Sequence, residues 1–159
     1  MSFLKRNFLF SFLFVFIFIL IIIFLMVIYY LGLFPLNFYF SKINIIVYNC
    51  TSCQGTSRTV YTAVSNYQLT RGMMYRSSFE GAYGMLFVLN STQQICMWMA
   101  NTQIPLEQSW ILQNGTVDYI KNATPYNLNN TCAYGRYVLE TPPNTIKSTT
   151  HFLINITQS

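Results

Sequence analysis

The stretch CMWMANTQIPL, which begins at Cys96, concentrates side chains that could bind a soft metal ion or a small polar ligand. Copper(I) prefers thiolate and thioether ligands, so Cys96, Met97 and Met99 are secondary candidates for an exterior copper site. In an extended strand neighbouring side chains point to opposite faces, so Met97 and Met99 share a face that excludes Cys96. Methionine also commonly fills irregular gaps in small cores. We therefore expect a core strand that runs into a turn, and no metal or other cofactor.

The same stretch places a polar pair near an aromatic ring. Asn101 and Thr102 are suited to satisfying the backbone groups of a turn through their side chains. They could instead hold a small polar ligand or a sugar against the ring of Trp98. Arg76 and Glu107 are the charged groups that could complete such a site.

Enzymatic chemistry has little support in the sequence. The four acidic residues lie in different segments, so a carboxylate pair for sugar hydrolysis would depend wholly on the fold. A sugar-acting domain would use Glu107 or Glu140 together with Arg76. The single histidine, His151, has no nucleophile in a matching context. We expect no catalytic residues, and the candidate ligand-binding residues are Arg76, Trp98, Asn101, Thr102, Glu107 and Glu140.

An uncharged apolar segment occupies most of the N-terminal part of the chain. Residues 8–34 contain no charged side chain, and as a helix they reach roughly 40 Å, more than the roughly 30 Å of a bilayer core. This length predicts a single transmembrane helix, because the apolar part of a cleaved signal peptide is shorter. Lys5 and Arg6 precede the segment, so residues 1–7 are expected in the cytoplasm. The rest of the chain would lie outside the cell membrane.

The cysteines are expected to reflect this exterior location. An even number of cysteines on the oxidising side of a membrane favours two disulfides, and three pairings among the four are possible. Cys50 and Cys53 also have the CxxC spacing of a redox or zinc site, and these alternatives remain open. The disulfide candidates are Cys50, Cys53, Cys96 and Cys132.

Asn-x-Ser/Thr sequons are frequent beyond the apolar segment and predict N-linked glycans. They begin at Asn49, Asn90, Asn114, Asn122, Asn129 and Asn155. Of the nine basic residues, Lys5 and Arg6 precede the anchor, which leaves seven that are scattered without a run. Such a distribution does not form a nucleic-acid footprint, so no nucleic-acid partner is expected.

Beyond the anchor the hydrophobic pattern changes from helical to alternating. Residues 35–57 are interpreted as a juxtamembrane collar with a first strand, and residues 58–159 as a mainly β domain resembling a small barrel or sandwich. Eight short strands are predicted, at 43–48, 58–64, 85–89, 95–101, 109–113, 116–121, 136–140 and 150–156. Asn114-Gly115 predicts a hairpin from Ser109 to Lys121 through a type I′ turn. One short helix is predicted at 67–74, with Asn66 as its cap.

Several motifs occur in the order found in a known family. They are LTRGMMYR at 69–76, YGMLFVL at 83–89, MWMANTQIPLEQSWI at 97–111, NGTVDYIKNATP at 114–125 and YVLE at 137–140. Over residues 58–141 the chain resembles the domain of unknown function 192 family, an uncharacterised group. The resemblance implies a compact, mainly β domain with a short helix at the Gly-x-Met-x-Arg motif, often exported or membrane-anchored.

The chain also departs from the family pattern. Ala100 stands where the family usually has lysine, and Glu107 where it has aspartate. The residues after Glu140 replace the strand expected there. These departures favour a domain retained for binding or assembly over an activity that depends on the missing lysine.

We therefore expect a membrane-anchored, non-catalytic binding or accessory module outside the cytoplasm, as a subunit of a membrane complex. Its expected partners are membrane lipid, membrane proteins that pack against the apolar anchor helix, and N-linked glycans. The alternatives are an exterior copper-handling protein that uses Met and Cys ligands, and a sugar-binding or sugar-acting domain.

Overall fold

The computed structural model describes residues 14–27, 40–49 and 54–154 of the chain. The chain divides into two compact units, residues 1–39 and 40–159. In the first unit residues 14–27 form helix α1, whose large apolar side chains are exposed. Within the described residues, no helix combines the length and apolarity needed to cross a bilayer. Much of the predicted 8–34 span, together with the segments 1–7 and 35–39, lies outside the described residues.

The second unit, within its described residues, is one seven-stranded sheet with one short helix. The strands are β1 (Ser41–Asn49), β2 (Gly55–Ala63), β3 (Gly84–Met97), β4 (Leu106–Ile111), β5 (Val117–Ala123), β6 (Thr131–Thr141) and β7 (Thr150–Leu153), and the helix is α2 (Asn66–Arg71). The strand order is β5-β4-β6-β3-β2-β1-β7. The prediction of a mainly β domain with one short helix is confirmed.

The sheet curls so that its two ends meet. β5 and β7 lie at opposite ends of the strand order, yet Thr116 beside β5 forms an antiparallel bridge with His151 in β7. The Phe152 amide donates to the Gly115 carbonyl at 2.9 Å. Gly115 has a φ of +87°, and a Cβ there would lie 1.9 Å from the Phe152 carbonyl oxygen. The barrel-like alternative therefore describes the domain better than a sandwich of two sheets.

Strands β2 and β3 form the one parallel pair among the described strands. A parallel pair needs a long crossover, because a tight turn would reverse the chain direction. Helix α2 and the residues up to Tyr83 supply that crossover. The parallel pairing therefore places α2 over one face of the sheet.

Each face of the sheet buries its own apolar cluster. The inner cluster, enclosed by the curl, includes Ile45, Val60, Leu86, Leu139 and Phe152. The outer cluster includes Tyr61, Met85, Phe87, Trp110 and Val138 from the strands, together with Met73, Phe79 and Met99 from the segments that cover them. The outer cluster is therefore built partly by residues outside the sheet.

The predicted strands at 85–89 and 95–101 are a single strand, β3, so the described residues contain seven strands rather than eight. The pairing of β3 with β6 is irregular between Val88 and Gln93, and this irregularity interrupts the alternation seen in the sequence. β3 ends at Met97, four residues earlier than predicted. The backbone beyond it turns, and Asn101 adopts a positive φ of 54°, a conformation that asparagine tolerates well.

The predicted hairpin from Ser109 to Lys121 is confirmed as the antiparallel pair of β4 and β5. Its turn is longer than the predicted type I′ turn. Gly115 has a positive φ whereas Asn114 does not, and the Gly115 amide donates to the Leu112 carbonyl at 2.9 Å. This combination is typical of a three-residue loop in which a type I turn precedes a glycine.

Helix α2 begins one residue earlier than predicted, and its cap is Ser65 rather than Asn66. The Ser65 hydroxyl accepts from the Gln68 amide at 3.3 Å, and the Gln68 side-chain oxygen accepts from the Ser65 amide at 3.0 Å. This reciprocal capping box satisfies amides that the first helical turn leaves unpaired. It fixes the start of α2 relative to β2.

Removing this cap is expected to destabilise the domain moderately. We expect Ser65→Ala to lower the free energy of unfolding by about 1 kcal/mol, because the Gln68 amide loses its acceptor. Urea titration followed by tryptophan fluorescence measures the change. Ser77→Ala, at an exposed position, is the matched control and should have little effect. Equal stabilities for the two variants would contradict the prediction.

Candidate functional site

A pocket of about 320 Å³ lies between helix α2 and the end of strand β3, and we name it the α2 pocket. This volume is at the lower end of the range typical of small-molecule sites. Its lining is mainly apolar. The residues are Leu69, Thr70, Arg71, Gly72, Met73, Met74, Phe87, Leu89, Ile95, Cys96, Met97, Trp98, Thr102 and Glu140.

The wall formed by α2 ends in a turn that requires glycine. Gly72 has a φ of +43°, a conformation that side chains disfavour. A Cβ at this position would lie 2.7 Å from a ring carbon of Phe87 and 3.9 Å from Oε2 of Glu140. The absence of a side chain at Gly72 therefore lets the backbone pass close to both groups.

The opposite wall is the loop at residues 98–105, which we name the signature loop. Backbone hydrogen bonds hold it on two sides. The Asn101 carbonyl accepts from Tyr75 at 2.9 Å, in the turn after α2, and the Thr102 carbonyl accepts from Tyr126 at 3.1 Å. The Thr102 hydroxyl donates to the Ala100 carbonyl at 3.3 Å. The signature loop thus links α2 to the turn after β5.

Glu140 provides the carboxyl group of the α2 pocket. It projects from β6 and is 3% exposed. Its Oε1 accepts a hydrogen bond from Nε2 of Gln108 at 3.1 Å, while its Oε2 has no partner among the described residues. Gln108 and Glu140 are directly paired across β4 and β6. A buried carboxyl oxygen without a partner is energetically costly unless something occupies the site with it.

Burial raises the pKa of Glu140 from 4.5 to about 7, because the anion loses its solvation, and the hydrogen bond from Gln108 only partly opposes this effect. The carboxyl therefore changes its charge near neutral pH. Its protonated form can donate a hydrogen bond, and its ionised form can accept one or pair with a cation. Perturbed carboxyls in pockets are frequent features of functional sites.

The structure brings three of the six predicted ligand-binding residues together, since Trp98, Thr102 and Glu140 line the α2 pocket. Asn101 is exposed beside it and serves the turn. Arg76 pairs with Glu80 at 3.6 Å and its guanidinium lies over aromatic rings.

Glu107 lies on the other face of the sheet from Glu140. Adjacent residues of β4 alternate in direction, so Gln108 shares a face with Glu140 and Glu107 does not. Oε1 of Glu107 accepts from the Ile146 amide at 2.6 Å. The expected grouping of Glu107 with Arg76 beside Trp98 is therefore wrong, because Glu107 holds the loop after β6 instead.

The soft-metal candidates are also separated by the structure. Cys96 forms a disulfide with Cys132, so the thiolate of the predicted copper set is not free. Met99 is 2% exposed, and its sulfur lies 3.8 Å from Nε2 of Gln108. Met97 is half-buried at the end of β3. Across the part of the chain that the structure describes, no three His, Cys, Asp or Glu side chains cluster as metal ligands.

Sequence reasoning did not single out Gln108. Its position carried a usable signal, since it lies two residues from Leu106 and from Trp110 on an apolar strand face. A lone amide on such a face needs a buried partner. Glu140, three residues after Tyr137 on the neighbouring strand, is that partner.

A second, more polar groove of about 180 Å³ lies on the other side of the signature loop. Met97 and Trp98 line both cavities. The polar side chains of this groove are Gln108, Lys121, Asn122, Thr124, Asn127, Asn129 and Thr131.

Some of the cysteines and sequons that predict an exterior location lie within the described residues. The disulfide joins Cys96 to Cys132, which are directly paired on β3 and β6. Cys50, Cys53 and Asn155 lie outside the described residues. The sequon asparagines with described, exposed positions are Asn90, Asn114, Asn122 and Asn129, and Asn49 ends β1.

Comparison with known proteins supports the assignment of the fold. The chain covers 94% of a Sinorhizobium meliloti protein described as a candidate transcription regulator, with 72% of this chain matched, 29% identity and a TM-score of 0.66. A protein of unknown function from Novosphingobium aromaticivorans matches 71% of this chain over 85% of its own, with 23% identity and a TM-score of 0.64.

No curated protein sequence matches the chain. The model of the DUF192 family, described as an uncharacterised ACR, matches residues 48–150. This range contains the α2 pocket and the signature loop, and it extends beyond the resemblance at 58–141. The chain therefore belongs to the DUF192 family.

Proposed function

We propose that this protein is a membrane-anchored, non-catalytic binding module that holds a small molecule in the α2 pocket outside the cytoplasm. The observation that carries the proposal is the unpartnered Oε2 of Glu140 in a mainly apolar pocket. Such a combination, mainly apolar walls with a few placed polar groups, is typical of small-molecule sites. The unpartnered oxygen supports binding because a ligand would satisfy it.

The anchor and the exterior location belong to the same proposal. Residues 8–34 are uncharged and follow Lys5 and Arg6, which favours an N-terminus in the cytoplasm. The disulfide between Cys96 and Cys132 is favoured by an oxidising compartment. The exposed sequon asparagines support N-linked glycosylation on the same side. We further propose that the anchor packs against the helices of a membrane complex.

The arrangement of carboxyl groups favours binding over hydrolysis. Glu140 and Glu107 lie on opposite faces of the sheet, so these two side chains do not form an acid and base pair around one ligand. Nucleic acid is not proposed as the ligand, since several cations lie over aromatic rings rather than in one exposed patch. These include Lys42, Arg58, Arg71, Arg76 and Arg136.

A second candidate function is sugar binding at the polar groove. Sugars are commonly held by amide and hydroxyl groups beside an aromatic ring. The groove offers Asn127 and Thr131 with the half-exposed ring of Trp98. This site would act without Glu140, so the two functions can be separated by mutation.

The proposal predicts a bound small molecule whose retention depends on the α2 pocket. The full chain is extracted gently from its native membrane and analysed by native mass spectrometry. We expect wild type and Thr70→Ala to retain the ligand, and Thr70→Trp to lose most of it, because Thr70 is exposed at the pocket wall and a larger side chain there would occupy the pocket. The same spectra report membrane-protein partners.

Equal retention by the two Thr70 variants, or no bound small molecule in wild type, would overturn the binding site. Isolation as a monomer without co-purifying protein would count against the membrane complex but not against the pocket. Retention of a sugar that survives Thr70→Trp would favour the polar groove.

A further inference from the structure

We infer that the α2 pocket takes a small organic amine in its cationic form, whose ammonium group donates a hydrogen bond to Oε2 of Glu140. The inference rests on the proposed function and names the chemical class of its ligand. It follows from the hydrogen-bond partners of the Glu140 carboxyl group and from the side chains that line the α2 pocket.

One oxygen of the carboxyl group has a neutral donor, and the other has no partner among the residues that the structure describes. Nε2 of Gln108 donates to Oε1 at 3.1 Å, and Gln108 is itself 1% exposed. Oε2 is the orphan, and among the described residues no protein donor reaches it. Oε2 of an ionised Glu140 only accepts, so a ligand that completes this form of the site must donate a hydrogen bond, as an ammonium group does.

In the part of the chain that the structure describes, no cation pairs with this carboxyl group. Arg71 is the charged residue of the pocket wall besides Glu140. Its guanidinium donates to the Tyr67 hydroxyl at 3.2 Å and lies 5.3 Å from the centre of the Tyr75 ring. Within the described residues the one salt bridge joins Arg76 to Glu80. An ionised Glu140 therefore lacks a counter-charge, and a cationic ligand would provide it.

The walls suit the organic part of an amine. Phe87 is nearly fully buried, and Trp98 is 47% exposed at the pocket. Aromatic faces attract cations and also pack against alkyl or aryl groups. Met73 adds a polarisable thioether. Gly72, whose Cβ would lie 3.9 Å from Oε2, leaves backbone rather than a side chain beside the carboxyl group.

Benzylamine and benzyl alcohol are suitable probes, because they have the same shape and differ in charge. Their affinities for the detergent-solubilised full chain are measured by isothermal titration calorimetry at pH 8, above the pKa of Glu140. A charge-assisted hydrogen bond predicts about tenfold or greater preference for the amine. Glu140→Gln should remove this preference, whereas Glu107→Gln, on the other face of the sheet, should retain it.

The possible outcomes distinguish an error in the ligand class from an error in the binding site. If both probes bind with equal affinity and neither binds Thr70→Trp, the ligand is not specifically an amine. The α2 pocket would still be the binding site. Absence of benzylamine binding, or binding unchanged in both Glu140→Gln and Thr70→Trp, would overturn the inference. Far-ultraviolet circular dichroism verifies that each variant is folded.

Discussion

Replacement of both Cys96 and Cys132 with serine is expected to lower the free energy of unfolding by about 4 kcal/mol. The two cysteines are 36 residues apart in sequence, so their disulfide closes a long loop and restricts the unfolded chain. Both side chains are exposed, and the serine hydroxyls would remain solvated. The loss therefore comes mainly from the removed cross-link rather than from a newly buried polar group.

Urea unfolding followed by tryptophan fluorescence measures this loss. The matched control is Cys50→Ser with Cys53→Ser, which retains the described disulfide. Reduction of that control should reproduce the loss, and reduction should not affect a variant that lacks Cys96 and Cys132 as well. A change below about 1 kcal/mol would show that the unfolded chain is already constrained near these residues.

The second large effect is a dependence of stability on pH caused by Glu140. The pKa of this carboxyl is about 7 in the fold and 4.5 in the unfolded reference. The folded protein therefore binds the proton more tightly, so the stabilisation is fully present below pH 4.5 and lost as the pH rises to about 7. The difference between the two pKa values corresponds to about 3 kcal/mol.

Glu140→Gln isolates this contribution. Its amide can still accept the hydrogen bond from Gln108, but it does not ionise. We expect wild type to lose about 3 kcal/mol relative to this variant between pH 4 and pH 8. Glu107→Gln is the control and should follow wild type, since Glu140 is unchanged in it. Parallel stability curves for wild type and Glu140→Gln would contradict the prediction.

The sequence predicted those elements whose conformation is determined by residues close together in the chain. The hairpin through Asn114-Gly115 and the short helix near Leu69 both occur. The exact cap of α2 was missed because Ser65 and Asn66 are both good caps, and the reciprocal partner Gln68 decides between them. The fusion of two predicted strands into β3 depends on pairing with β6, which is distant in sequence.

The site was predictable only in part for the same reason. Trp98, Thr102 and Glu140 were candidates, but their grouping depends on the order of the strands. The pairing of β4 beside β6 places Gln108 opposite Glu140 and sends Glu107 to the inner cluster. A shift of β4 by one residue in that register would bring Glu107 to the face of Glu140 and turn Gln108 away from it. The alternation of residues within one strand does not determine the register of β4 against β6.

The closure of the sheet determines when the domain can complete its folding during synthesis. β7 follows the other described strands in sequence, yet it pairs with β1, the first of them. Until residues 150–153 leave the ribosome, one side of β1 has no partner and the turn at Gly115 lacks its contact with Phe152. A nascent chain paused before this point exposes a strand edge that other chains can join. Chaperone demand during synthesis should therefore fall sharply once β7 emerges.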